Sequence, residues 1–283
     1  MSRVGAVIVT WNSGSLVERA CDALLAGTRP PDRLVVVDNA SDDPASLEAL
    51  HRLPAMVERV EARTNLGFCG GNNLGLRTLG DTTDQVLLCN PDAFVSSAFL
   101  AAAVDHLEAH PRVGALGPRL VHLDTATGVP TGRLDGVGIR QTALGRFVDR
   151  GQGQPDDGRY GSHPFPTTAV CAAAALYRQQ ALREVALPDG TVFDEHFFMY
   201  KEDIDLSLRL RRAGWEVVVD PALVVQHGRG MGGPDRRRAP SWVRRRSVAN
   251  EWRIWRRGTL GPARRLTMLP YLVAKSAVVA AGC

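Results

Sequence analysis

No stretch of the 283-residue chain offers about twenty consecutive uncharged apolar residues, so it reads as having no membrane-spanning helix. No secretory leader is expected, because Ser2–Arg3 lead straight into VGAVIVTWN, which reads as a strand, and a cytoplasmic protein is the expectation. The five cysteines (Cys21, Cys69, Cys89, Cys171, Cys283) are scattered, odd in number and without metal-type spacing, and read as reduced thiols. There is no internal repeat. No GxGxxG follows the first strand and no GxxxxGK[ST] occurs anywhere, which disfavours a dinucleotide dehydrogenase and excludes a P-loop enzyme.

A hydrophobic content of 45% with 23% charged residues describes an ordinary globular chain, long enough for a large core. The net charge of +4 conceals an asymmetry. Twelve arginines fall between Arg229 and Arg265, opposed only by Asp235 and Glu251, and the rest of the chain is slightly acidic. Two parts follow: a main unit over 1–230 and an Arg-rich amphipathic segment over 231–283. In that segment Arg236–Arg238, Arg244–Arg246, Arg253, Arg256 and Arg257 alternate with Trp242, Trp252 and Trp255. Leu266–Cys283 is apolar but interrupted by Pro270 and Lys275. Such a composition suits the surface of an anionic membrane, with a solvated basic helix as the alternative, and peripheral attachment to the inner face of the cell membrane is the expectation. No nucleic-acid reader motif accompanies the arginines, so nucleic acid is not an expected partner.

Val4–Thr10, Leu34–Val37, Met56–Glu61 and Val86–Cys89 read as strands, the first two and the last as buried ones. Ser15–Glu18 has the pattern of a capping box opening a helix, and Asp43-Pro44 places an N-cap before a proline at the first helical position. Gly70–Leu79 and Ser97–His110 read as further helices. Strands alternating with helices imply a parallel α/β sheet, whose ligand crevice lies outside the carboxyl ends of the strands. Arg119–Thr168 is irregular, suggesting a hairpin and a mobile loop. Ala169–Tyr177, Trp215–Val219 and Leu223–Gln226 read as later strands, the last leading to His227.

Polar and glycine-rich residues gather at the end of each early strand. Thr10, Asn12 and Asp38 are positioned to bind a base or ribose, although each also suits a turn or cap. Asn65–Asn73 holds three glycines and three amides; Gly67, Gly70 and Gly71 permit close backbone approach, and Asn72 can bond a ribose or phosphate oxygen. Asn90-Pro91-Asp92 follows a buried strand, which makes Asp92 an oxygen ligand for a divalent cation carrying phosphates. One carboxylate holds such a cation weakly, and His227 is the best second ligand, a pairing that suits Mn²⁺ better than Mg²⁺. Phe193–Gly214 sets Phe197, Phe198 and Tyr200 against Glu202, Asp203 and Asp205 where a helix begins, with Asp at its N-cap and Gly214 at its stop. The acidic cluster fits a capped helix and a functional site equally well.

In order, VIVTWN (7–12), VVVDNASDD (35–43), NLGFCGGNNLGL (65–76), LLCNPDA (87–93), FFMYKEDIDLSLRLRRAGW (197–215) and His227 resemble the inverting family 2 glycosyltransferases of the GT-A fold. The likeness is greatest to the rhamnosyltransferase branch that builds bacterial cell-surface glycans. It implies a Rossmann-like, mostly parallel central sheet flanked by helices. By that resemblance Thr10, Asn12 and Asp38 hold the nucleotide, Asn65, Gly67, Gly71 and Asn72 flank the nucleotide and donor sugar, and Asn90 and Asp92 face the diphosphate. Asn90-Pro91-Asp92 stands where the family has DxD, with the first acid missing. Asp92 and His227 would hold the Mn²⁺ or Mg²⁺, Asp203 would be the catalytic base, and Phe198, Tyr200 and Glu202 would line or support the acceptor side. Asp205, roughly 200° further around the helix, is expected to be structural. The implied reaction is a single displacement with inversion, from a nucleotide sugar, dTDP-L-rhamnose by resemblance, to a hydroxyl of a glycan, a lipid-linked saccharide or a small metabolite. A homodimer is left open. The competing readings are a sugar-nucleotide pyrophosphorylase, disfavoured because TWNSGS has no cation for a triphosphate, and a non-catalytic binding protein, disfavoured by Asp92 and Asp203.

Overall fold

The computed structural model describes residues 2–229 and 240–281. The chain runs through β1 (Val4–Thr10), α1 (Leu16–Leu25), β2 (Arg33–Asp38), α2 (Pro44–Arg52), β3 (Val57–Glu61), α3 (Gly67–Leu79), β4 (Gln85–Cys89), β5 (Ala93–Val95) and α4 (Phe99–Ala109). It continues through β6 (Val113–Asp124), β7 (Val129–Gly136), β8 (Ile139–Gln141), β9 (Phe147–Asp149), β10 (Phe165–Pro166), β11 (Ala174–Arg178) and α5 (Gln179–Glu184). A 3-10 turn (Glu195–Phe197), α6 (Glu202–Arg212), β12 (Glu216–His227), α7 (Ser241–Arg257) and α8 (Pro262–Ala280) complete it.

The main sheet has the order β10-β12-β6-β11-β4-β1-β2-β3, with β5 on β12 and β7 on β6. The β4-β1-β2-β3 block is parallel, β12 runs parallel to β6, and β11 is antiparallel to both β4 and β6. Because β1 is flanked by β2 on one side and β4 on the other, the chain reverses its winding at β1, and in open α/β sheets ligands bind at the carboxyl edge beside such a reversal. The apolar strand runs are continuous because both faces are covered. Val4, Ala6, Ile8, Leu34, Val36 and Leu87 pack with Val17, Leu24, Val104 and Leu107 of α1 and α4. Val7, Val35, Val37, Val86 and Leu88 pack on the opposite face with Leu76 and Leu79 of α3 and with Ile204, Leu206 and Leu210 of α6. Each such buried aliphatic side chain contributes about 1.5–3 kcal/mol relative to exposure.

Local signals were met unevenly. Asp43 caps α2 as its sequence pattern requires, accepting from the Ser46 amide at 3.0 Å, with Pro44 in the first turn. The capping box at Ser15 does not form: Ser15 is in the helical region and its side chain caps nothing. Nor does an aspartate cap α6; Lys201, in the left-handed conformation with φ 74°, precedes it, while Gly214 (φ 93°) follows its end as expected. The two late strands are one, β12, with a bulge between Asp220 and Val224. Cys21, Cys69, Cys89 and Cys171 are free thiols.

Helices α7 and α8 form a pair packed on the rest of the chain. Ile254 of α7 and Met268 and Leu272 of α8 belong to the same core as α6. Trp252 and Trp255, expected to meet a membrane, instead stack edge to face at 5.6 Å. Their indoles donate to Ser276 Oγ at 2.9 Å and to the Arg265 carbonyl at 3.0 Å, which ties α7 to α8. Of the three tryptophans only Trp242 is exposed. Arg236–Arg238, the boundary at 230/231 and Cys283 lie outside the described residues. Among the described residues, no helix is long and apolar enough to cross a membrane.

Candidate active site

Parallel register places Thr10 opposite Asp38 at the carboxyl ends of β1 and β2. Thr10 is buried and its hydroxyl meets Ser13 Oγ at 2.5 Å, while Asp38 accepts from the Ser41 amide at 3.1 Å. Asn12, at φ 48°, exchanges hydrogen bonds with Asp42, donating to Oδ1 at 2.7 Å and accepting from the backbone amide at 3.0 Å. Asn39 joins this edge to the next loop: its amide donates to Asn65 Oδ1 and the Gly67 carbonyl and accepts from the Leu66 amide. The sequence placed Asn39 at a strand end but did not single it out.

The glycine-rich segment differs from the loop expected, because α3 begins at Gly67. Gly67 has φ 68°, and an added Cβ there would lie 2.5 Å from the Phe198 carbonyl oxygen. Gly71 serves helix-on-sheet packing: a Cβ would lie 2.5 Å from Val9 Cγ1. Asn72 is buried, and its amide nitrogen donates to the Phe68 carbonyl at 2.8 Å, one turn back in the same helix. Gly71 thus lets α3 pack on β1, and the Asn72 side-chain nitrogen is held within its own helix.

Asn90 and Asp92 follow β4, and strand pairing brings His227 to them: β5 runs antiparallel to β12 with Ala93 opposite His227. His227 Nε2 lies 3.4 Å from Asp92 Oδ1 and 3.4 Å from Asn90 Nδ2. Its other nitrogen, Nδ1, is 2.7 Å from Oδ2 of Asp135, a β7 residue that sequence reading passed over in an irregular stretch. Asp135 also pairs with Arg229, which reaches Asp149 at 3.3 Å. Burial is the largest single influence on His227 and disfavours its charged ring, yet the Asp92 charge and the hydrogen bonds to Asp135 and Asp92 outweigh it, raising the pKa to about 10. Burial likewise opposes ionisation of Asp135, but the His227 hydrogen bond and the charges of His227 and Arg229 hold it below the usual carboxylate range. Among the described residues, no group of three or more His, Cys, Asp or Glu side chains is placed to hold a metal ion. Asp92 and His227 nonetheless fit a divalent cation whose remaining ligands come from a diphosphate: a carboxylate faces an imidazole whose far nitrogen is fixed by a second carboxylate.

A cavity of about 860 Å³ joins this cluster to the acidic helix. Asn90, Asp135, His227 and Arg229 line it together with Tyr200, Glu202 and Asp203. Thr10, Asn12, Asp38 and Asn65 form a separate cluster outside its wall. Asp203 is half-buried in the first turn of α6, and its Oδ1 accepts from the Ile204 amide at 2.8 Å. Glu202 is buried, and burial, reinforced by the neighbouring Asp203 charge, raises its pKa well above the ordinary value. Asp205 faces the other way: it is 1% exposed and pairs with Arg209 at 3.0 Å and Arg257 at 2.8 Å, the structural role expected of it. Phe197 is core, whereas Phe198 lies beneath the Arg246 guanidinium, 4.7 Å from its ring centroid. Phe198, Tyr200 and Lys201 all have positive φ (61°, 71° and 74°), so the approach to Asp203 is strained. Asn250 of α7 holds it, donating from one amide nitrogen to the carbonyls of Phe197, Met199 and Tyr200 at 3.0, 3.0 and 2.8 Å.

A switch-point sheet with these clusters at its carboxyl edge is the GT-A glycosyltransferase fold. Solved structures agree. A mannosyltransferase from Pyrobaculum calidifontis, in complex with GDP-Man and Mn²⁺, matches 99% of this chain and 74% of its own at a TM-score of 0.62 and 19% identity. GalNAc-T7 with UDP, GalNAc and Mn²⁺ matches 80% of this chain and 43% of its own at a TM-score of 0.64 and 15% identity. Residues 2–246 match the family described as Glycosyltransferase like family 2, and the chain belongs to it. Among curated relatives, the N-acetylglucosaminyl-diphospho-decaprenol L-rhamnosyltransferase of Mycobacterium tuberculosis is 30% identical over 235 residues, covering 78% of this chain and 74% of its own. The galactofuranosyltransferase GlfT1 of the same organism is 27% identical over 214 residues, covering 75% and 65%. The protein is a rhamnosyltransferase-like glycosyltransferase.

Proposed function

We infer that the protein transfers a sugar, L-rhamnose from dTDP-rhamnose, to a hydroxyl of a glycan or lipid-linked saccharide, with inversion. The observation that carries this reading is one cavity lined by Asp203, Asn90 and His227, with Asp92 against His227. Thr10, Asn12 and Asp38 hold the nucleoside at the ends of β1 and β2. Asp203 takes the proton of the acceptor hydroxyl while its oxygen attacks the anomeric carbon, and the bond from that carbon to the diphosphate breaks on the opposite face. When bound at Asp92 and His227, Mn²⁺ or Mg²⁺ neutralises charge on the departing diphosphate. The L-rhamnose preference follows the 30% identical relative, whose printed name is that of an L-rhamnosyltransferase. A panel of nucleotide sugars, scored by hydrolysis and by thermal stabilisation with and without Mn²⁺, tests the reading. Preference for another donor would displace rhamnose, and full activity of metal-stripped enzyme in chelator would remove the cation.

The protein works at an anionic membrane surface. Helix α8 has an apolar face on the core side (Met268, Leu272) and a second one outside, where Leu266 and Val273 are 73% and 56% exposed. Around it, residues 240–281 carry eight arginines and Lys275 against Glu251 alone, a balance that complements anionic headgroups. The basic residues also oppose pairing of this face with a second copy. Flotation with anionic vesicles at low salt is expected, and its absence would reject the attachment.

A further inference from the structure

A second pocket, of about 350 Å³, lies where the last turn of α6, the end of β8 and the α7–α8 connection meet. Arg211, Arg212 and Arg264 line it with Thr259 and the buried Leu208 and Leu260, and no lining residue is acidic. Each guanidinium is oriented by one backbone carbonyl. Arg211 donates to Thr167 at 2.6 Å, Arg212 to Gly258 at 2.7 Å and Arg264 to Thr142 at 3.4 Å. None of the three has an ion pair among the described residues, so each keeps further N–H groups for a ligand. The Thr259 hydroxyl is buried without a hydrogen-bond partner among the described residues. The segments around the pocket supply no counter-charge either: the sequence has no Asp or Glu from Ile139 to Val148 or after Glu251. Three like charges held around one pocket repel one another, and an anion between them reverses that effect.

Two large apolar side chains flank this basic patch. Leu144, two residues past Thr142, and Leu266, two residues past Arg264, are each 73% exposed. The turn that carries Leu144 packs closely on α8, since a Cβ at Gly145 would lie 2.5 Å from Met268 Cα. We propose that the pocket binds the phosphodiester headgroup of an anionic lipid, with Arg211, Arg212 and Arg264 on the phosphate oxygens and Leu144 and Leu266 entering the acyl layer beside it. This rests on the membrane-surface reading and gives it a specific site. Guanidinium planes can meet phosphate oxygens in two parallel hydrogen bonds, and the carbonyls that already hold them lower the cost of ordering them. Charge complementarity favours an anionic bilayer over a second copy of the same basic patch. Helices α7 and α8 also line the active-site cavity, through Val243, Glu251, Tyr271 and Lys275, so a headgroup held here sets how that cavity stands toward the bilayer.

Flotation of the full chain with phosphatidylglycerol vesicles tests the site. Arg212→Gln/Arg264→Gln is compared with Arg245→Gln/Arg256→Gln, which removes the same charge from exposed α7 positions outside the pocket. At unchanged melting temperature, the pocket pair should weaken vesicle binding about tenfold more than the control pair. It loses phosphate hydrogen bonds as well as the roughly fivefold that any arginine near an anionic bilayer contributes. Arg212→Lys/Arg264→Lys keeps the charge but not the planar fork, and should still weaken binding by about threefold or more. Leu144→Ser should weaken it by about tenfold. Equal loss from the two glutamine pairs, with full binding by the lysine pair, would show diffuse attraction and overturn the proposal. Calorimetric binding of glycerol 3-phosphate that vanishes in Arg212→Gln/Arg264→Gln while vesicle binding persists would assign the pocket to a soluble phosphate ester and overturn it too. No flotation of the unmodified protein rejects membrane attachment along with the site, whereas flotation that survives the pocket substitutions rejects the site alone.

Discussion

Replacing Asn250 should cripple catalysis from a residue that lies beyond the span matched to the family, residues 2–246. Asn250 is fully buried on α7, and its amide is the side-chain donor for three carbonyls of the turn that precedes Glu202-Asp203. Three residues of that turn have positive φ, a state that costs roughly 1–3 kcal/mol each and persists only when its surroundings impose it. Asn250→Asp keeps the shape and removes both N–H donors. The Phe197 carbonyl keeps the Met199 N–H at 2.7 Å. Losing the side-chain donor to the Met199 and Tyr200 carbonyls costs about 1–3 kcal/mol per group, and the new carboxylate repels all three, so a global loss of at least ~2 kcal/mol is expected by urea unfolding. The turn can also relax its strain, which moves Asp203. Displacing a reacting group by about 1 Å lowers the rate roughly a hundredfold. Steady-state transfer kinetics should therefore show kcat falling by about two orders of magnitude with the donor KM little changed. If Asn250→Asp loses stability but keeps kcat within about twofold, the turn holds its geometry without α7 and the reasoning fails.

Asp203→Asn should lower transfer by about two to four orders of magnitude while donor binding survives, whereas Asp205→Asn should act on stability; a dead Asp205→Asn beside an active Asp203→Asn would reverse the assignment. Asp135→Asn removes the carboxylate behind His227 and should raise the Mn²⁺ concentration for half-maximal activity by about 10–100-fold; an unchanged Mn²⁺ curve would refute a supporting role. Glu202 has a folded-state pKa raised by burial and by Asp203, so its cost to folding sets in above the ordinary value of about 4.3 and grows until pH passes the raised value. Glu202→Gln should therefore match the native melting temperature near pH 4 and exceed it at neutral and alkaline pH, and parallel melting profiles across pH would contradict this.

The strands of the parallel block and the polar residues at their ends were legible in the sequence because both are local. A run such as Leu34–Val37 can only be buried on both faces, and Asp38 and Asp92 must then emerge at the carboxyl edge. The acidic start of α6 was legible for the same reason, and the helical repeat separated Asp203 from Asp205. What the tertiary structure decided depends on partners far apart in the chain. Asp135 meets His227 across 92 residues, through the pairing of β7 with β6 and β6 with β12. Gly71 had the composition of a binding loop, and only the tertiary structure shows that α3 begins before it and that its missing Cβ lets the helix pack on Val9 of β1. The basic, tryptophan-rich tail likewise read as a surface element. Its tryptophans are the bond between α7 and α8, and Asn250, Glu251 and Arg257 fasten that pair to the catalytic turn. Composition fixed the charge of this segment; long-range packing decided that it forms a wall of the active site.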